Sequence, residues 1–220
     1  MRSLVSAACF FIVIPAYGSI ILFSGVTVIS PPPSVQLGQL QSDTTAYVFA
    51  EQQDVLLTAP QYAGITMPGT WDCCTGFVVG AIPAGTTVNS YYLRSAPTDG
   101  SGVIDFTGSI TFSAGEKILG IIVGYQTLAT TDSLFGSPIT TYPNPSQSLN
   151  GLDTGDVVTL SSNFETVNFD FHTGGGGMDS IRILTETPEP AGFILLGSGL
   201  LAVSCKRRSL RATRNSHSGS

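Results

Sequence analysis

Along several stretches of this chain, apolar and polar residues alternate with a period of two. The clearest is 103–112, where Ile104, Phe106, Gly108, Ile110 and Phe112 fall on one side and Asp105, Thr107, Ser109 and Thr111 on the other. Successive side chains of a strand point to opposite faces, so the pattern predicts a strand with one face in a core and one in water. Residues 166–172 repeat it, with Val167, Phe169 and Phe171 inward and Asn168, Asp170 and His172 outward. Residues 118–125 (ILGIIVGY) are continuously apolar and predict a strand covered on both faces. A β-branched run at 20–29 ends at Ser30-Pro31-Pro32-Pro33 and predicts a first strand with a stop after it. Further strands are expected at 46–50, 54–58, 77–81, 86–94, 157–161 and 180–185. Turn-forming residues separate them at 83–85, 97–102, 138–145 and Asn150-Gly151. No stretch keeps a helical period, and 131–135 is long enough for one turn.

About ten short strands predict an all-β domain over 19–187, an antiparallel β-sandwich of jelly-roll or lectin-like type, with a barrel as the alternative. A domain of this size buries roughly 70% of its unfolded surface, so it should fold without cross-links.

The two ends read differently. Met1-Arg2-Ser3 is a short basic start, 4–14 is apolar, Pro15 breaks the run, and Ala16-Tyr17-Gly18 supplies small residues for cleavage after Gly18. This predicts a signal peptide at 1–18 that feeds the Sec export machinery. The rival is an uncleaved anchor over 4–29, kinked at Pro15. At the other end come Pro188-Glu189-Pro190, then the apolar stretch 191–203 (AGFILLGSGLLAV), then Lys206, Arg207 and Arg208. The prolines keep the backbone extended for a processing enzyme to grip. The apolar stretch suits a short transmembrane helix. The basic cluster stays cytoplasmic by the positive-inside rule and places the β-domain outside.

Charge sharpens this picture. Only 11% of residues are charged, against ~25% in an average globular protein. Five of the nine Lys and Arg residues lie in the last fifteen positions. Between Ser30 and Thr187 three bases (Arg94, Lys117, Arg182) face fourteen acids, a net charge of about −11. Such a surface repels phosphate backbones and excludes nucleic acid as a partner.

The C-terminal arrangement resembles the PEP-CTERM sorting signal of exported Gram-negative proteins, over residues 188–208. The resemblance implies recognition at Pro188-Glu189-Pro190 by exosortase, a membrane protease-transpeptidase, and removal of the apolar tail. It implies an inner-membrane precursor, a mature form at the cell surface or in the extracellular matrix, and a setting of exopolysaccharide. The basic, polar tail 209–220 departs from the pattern, since such signals usually stop soon after the arginines. An ordinary stop-transfer anchor is the competing reading. Residues 110–112, 118–120 and 179–184 are also similar to uncharacterised β-domains that precede this signal, for which no activity is implied.

Chemistry-bearing residues in the domain are few. Cys73 and Cys74 are adjacent, with Cα atoms ~3.8 Å apart, below the usual disulfide range. A strained vicinal disulfide, an intermolecular bridge and two free thiols are all open. Trp71 is either a packing residue or a sugar-stacking one. His172 is the domain's only histidine, and no Gly-x-Ser-x-Gly elbow accompanies it. Asn168, Asp170 and His172 share a strand face, read as a solvated polar face rather than a metal site. Residues 174–177 are four glycines without a following Lys-Ser/Thr, and read as a turn. No cofactor is expected; Ca²⁺ at Asp153 and Asp156 is the one ion considered, without EF-hand spacing. The expectation is a non-enzymatic surface or matrix module that interacts with polysaccharide. The alternative is an envelope glycan hydrolase or lyase, with Glu51, Asp54, Asp105 and Asp170 as available carboxylates.

Overall fold

The computed structural model describes residues 20–73, 79–144 and 150–187. The expected signal peptide 1–18, Pro188-Glu189-Pro190, the apolar stretch 191–203, the cluster Lys206, Arg207 and Arg208, and the tail 209–220 lie outside the described residues. Among the described residues no helix is long and apolar enough to cross a membrane. In chain order the first strands are β1 (Ile20–Ser24), β2 (Val26–Val28), β3 (Ala46–Ala50), β4 (Val55–Leu56), β5 (Gln61–Ala63), β6 (Gly69–Asp72) and β7 (Gly80–Ile82). They are followed by β8 (Thr87–Ser95), β9 (Ile104–Phe112), β10 (Ile118–Ile122), the helix α1 (Tyr125–Phe135), β11 (Val157–Leu160), β12 (Thr166–Thr173) and β13 (Asp179–Glu186).

The two alternating stretches form the middle of one sheet, ordered β1-β9-β12-β11-β6 and antiparallel throughout. Their register pairs inward with inward: Phe106 lies opposite Phe171, and Ile110 opposite Val167. Gly108 faces Phe169, and a Cβ there would sit 2.6 Å from the Phe169 ring, so the glycine in the apolar series makes room for an aromatic. The second sheet runs β10-β13-β8-β3-β2, with β4 also on β8. It is antiparallel except for the β2–β3 pair, which is parallel and makes the sheet mixed. One core draws on both sheets, with Phe112, Phe169 and Phe171 from the first and Val48, Tyr91 and Ile183 from the second.

The run at 20–29 makes two strands rather than one. β1 pairs with β9 in the first sheet and β2 with β3 in the second, so the chain changes sheets at Gly25. Gly25 has φ 66°, and a Cβ there would lie 1.9 Å from the Thr107 carbonyl oxygen. Only glycine fits this crossing. Because residues 20–28 are sheet strands, the membrane helix considered over 4–29 does not form across them.

Other expected strands shift. The 118–125 strand stops at Ile122, and the chain turns at Gly124 into α1 over three turns, where one turn was expected. Threonine is a weak helix former and α1 carries Thr127, Thr130 and Thr131, so tertiary packing holds it. Leu128 and Phe135 enter a second core with Tyr92, Leu184 and Ile122, on the far face of β8 and β13. Those two strands are consequently buried on both faces, including their polar residues. The strand expected at 54–58 contracts to β4, preceded by Asp54 at φ 56°. The short strands β5 and β6 have no alternating signal in the sequence.

Candidate binding cleft and acidic cluster

Arg182 of β13 points away from the shared core toward α1 and is fully buried. All five of its N–H groups have acceptors. Nε and Nη2 donate to the two Glu51 carboxylate oxygens at 2.7 and 2.8 Å. Nη2 also donates to Asp132 Oδ1 at 2.8 Å, and Nη1 to the Leu128 carbonyl at 3.0 Å and Thr131 Oγ1 at 2.6 Å. The guanidinium lies 5.5 Å from the Tyr92 ring centre and 5.6 Å from that of Tyr142. Burial works against its charge, but Glu51, reinforced by Asp132, outweighs burial and holds the Arg182 pKa above the ordinary value. Burial also pushes Asp132 up to about 6, against the opposing pull of Arg182. Two carboxylates around one cation leave this centre with a net negative charge.

Above the centre is a cleft of about 540 Å³, lined among others by Gln52, Asp132, Ser133, Thr141 and Tyr142. The Asp132 side chain is 21% exposed. Its Oδ1 is taken by Arg182, while Oδ2 has no partner among the described residues. Gln52 donates its amide to the Gly136 carbonyl at 2.9 Å, so its side-chain oxygen is not the atom used in that bond. Ser133 and Thr141 are exposed. Tyr142 is fixed by an edge-on contact with Tyr92 at 5.4 Å, and its hydroxyl accepts from the Ser137 N–H at 2.9 Å. The turn expected at 138–145 gave the segment but not its place beside Asp132 of α1 in the cleft lining. That placement depends on the helix, which the apolar pattern did not announce.

A second acidic group lies where β12 turns into β13. The carboxylate oxygens of Asp153, Asp156 and Asp179 come within 4.8 Å of one another. Asp156 is fully buried and accepts from the His172 and Asp153 backbone N–H groups at 2.8 and 2.7 Å. Thr173 Oγ1 donates to Asp179. Burial, then the charge of Asp156, pushes Asp179 up to about 8, and the two carboxyl groups are hydrogen-bonded to each other. Burial likewise raises Asp156. Among the described residues these three oxygen donors are the group that could hold a divalent ion; Asp179 joins the expected pair because the fold brings β13 back beside the loop before β11.

The other singled-out residues are dispersed. Cys73 is disulfide-bonded, with its partner outside the described residues, so two free thiols are overturned. Trp71 pairs in register with inward Val158, packs against the core and donates Nε1–H to the Met67 carbonyl at 3.3 Å; it is a packing residue. Asn168, Asp170 and His172 stand exposed on the outer face of the first sheet, and His172 Nδ1 meets Asp105 at 2.5 Å. The four glycines form a turn closed by the Gly177 N–H on the Gly174 carbonyl at 2.7 Å. Of the carboxylates considered for catalysis, Glu51 is buried on Arg182 and Asp54 is exposed in a loop, while Asp105 and Asp170 are exposed diagonal neighbours on the paired strands β9 and β12, outside any cleft described above.

Arg94, like Arg182, is fully buried, and donates to the carbonyls of Val35, Gln36 and Gln39. Burial lowers its pKa. The third base, Lys117, is bonded to Glu165 at 2.6 Å. Seven aspartates are exposed. The surface of the described domain is thus more uniformly acidic than the base count suggests. Comparison with protein-family models, with curated proteins and with solved structures gives no match to this chain.

Proposed function

We propose that this chain is an exported surface or matrix protein, sorted by exosortase through its tail, whose β-sandwich domain of jelly-roll or lectin-like type interacts with polysaccharide. The observation that carries the reading is the segregation of charge. Two of the three domain bases are buried and the third is paired, and of the other six bases in the sequence all but Arg2 cluster at Lys206, Arg207, Arg208, Arg211 and Arg214. An acidic β-domain and a basic terminus, separated by 191–203, give the positive-inside rule a single orientation to favour. The precursor would then sit in the inner membrane with the domain outside, and the mature form at the surface. The domain acts as a binding module and not as an enzyme in this reading. Growth with and without exosortase tests it. The precursor should lose its tail and leave the membrane only when the enzyme is present; identical size and location in both strains would refute the sorting.

A further inference from the structure

From the cleft over Arg182 we infer a binding site for a neutral hexose unit of a polysaccharide, held by Asp132 and Gln52 as hydrogen-bond acceptors and by Ser133 and Thr141 as hydroxyl partners. This rests on the polysaccharide-binding reading above and gives it a location and a sugar class. The cleft volume, about 540 Å³, lies within the roughly 300–1,000 Å³ of small-ligand sites. Its polar groups are of the kind that neighbouring sugar hydroxyls satisfy. Asp132 offers a carboxylate oxygen with no partner among the described residues, at a position fixed by the Arg182 contact on its other oxygen. Hydrogen bonds to a charged acceptor are the stronger ones. Gln52 also lines the cleft, and its amide is held by the Gly136 carbonyl. Tyr142, immobilised against Tyr92, gives the cleft an aromatic wall.

Charge selects the class. Among the described residues the one cation near the cleft, Arg182, is fully buried and faces two carboxylates, and no described base lines the opening. A uronate or sulfate would meet Asp132 and the acidic surface beyond it without a counter-charge. A neutral sugar donates hydroxyls to the same carboxylate without repulsion.

Calorimetric titration of the full chain in detergent micelles, with cellohexaose, maltohexaose and mannohexaose as neutral probes and tetragalacturonate as the acidic one, tests the site. At least one neutral probe should bind, and tetragalacturonate should not. Thr141→Trp, which fills the cleft from an exposed position, and Asp132→Asn should each weaken neutral binding by about tenfold or more. The Thr141→Trp melting temperature should stay that of the parent, which separates lost binding from lost fold. Neutral binding that Thr141→Trp leaves unchanged would overturn the cleft and keep the polysaccharide reading. Binding of tetragalacturonate alone would overturn the sugar class, and failure of every probe would overturn both.

Discussion

Asp179 should make the domain lose stability as pH rises, and replacing it with Asn should remove most of that loss. Its carboxyl is 2% exposed, bonded to Thr173 and Asp156, and pushed from 3.8 to about 8 by burial and by the Asp156 charge. The folded state therefore keeps a proton that the unfolded chain gives up near pH 4. A raised folded pKa means that the contribution is fully present below the unfolded value and is lost as pH rises through about 8. One extra bound proton corresponds to a slope of about 1.4 kcal/mol per pH unit within that window. The proton belongs to the Asp156–Asp179 pair, so the slope is the quantity to read. Urea unfolding followed by circular dichroism between pH 5 and 9 measures it. Asp179→Asn keeps the shape, can still accept from Thr173 and can donate an amide to Asp156 without titrating. Its stability profile should be flatter than the parent's by about 1.4 kcal/mol per unit. Parallel profiles for the two proteins would refute the shared buried proton.

Arg182→Met should destabilise the domain by about 3–5 kcal/mol at neutral pH, because Glu51 and Asp132 lose their cation in a buried setting. Adding Glu51→Gln should recover part of it, as chemical denaturation of the single and double variants would report. Millimolar Ca²⁺ and NaCl of matched ionic strength should raise the melting temperature equally, by screening the acidic surface. An excess for Ca²⁺ that disappears in Asp179→Asn would instead assign the Asp153–Asp156–Asp179 cluster as a cation site.

The β-rich character of the domain was legible because half-burial writes itself into the sequence as alternation. Residues 104–112 and 166–173 carry it, and they form the middle of the first sheet with the expected residues inward. What escaped reading was decided by contacts distant in sequence. The run at 20–29 has one composition but serves two sheets, and Gly25 is the only local mark of the crossing. Helix α1 hides in a threonine-rich segment whose stability comes from Arg182 and the second core. Arg182 and Arg94 looked like surface charges and are buried, since a strand covered on both faces needs no apolar alternation if its polar groups find partners. Asp153 and Asp156 were visible as a loop pair, while Asp179 joined them through the turn at 174–177. The cleft was not visible at all, because Gln52, Asp132 and Tyr142 come from three separate stretches.

The central claim is that the tail is a processed sorting signal. Changing Pro188-Glu189-Pro190 to Ala-Ala-Ala leaves the apolar stretch and the arginines intact, so the chain should still reach the membrane with its domain outside, yet remain unprocessed. The direct measurement is a mass spectrum of the mature surface protein from cells that express the parent chain. Processing predicts no peptide from beyond Pro190. Recovery of peptides from 208–220 on the mature surface form would contradict the account and favour a plain transmembrane anchor.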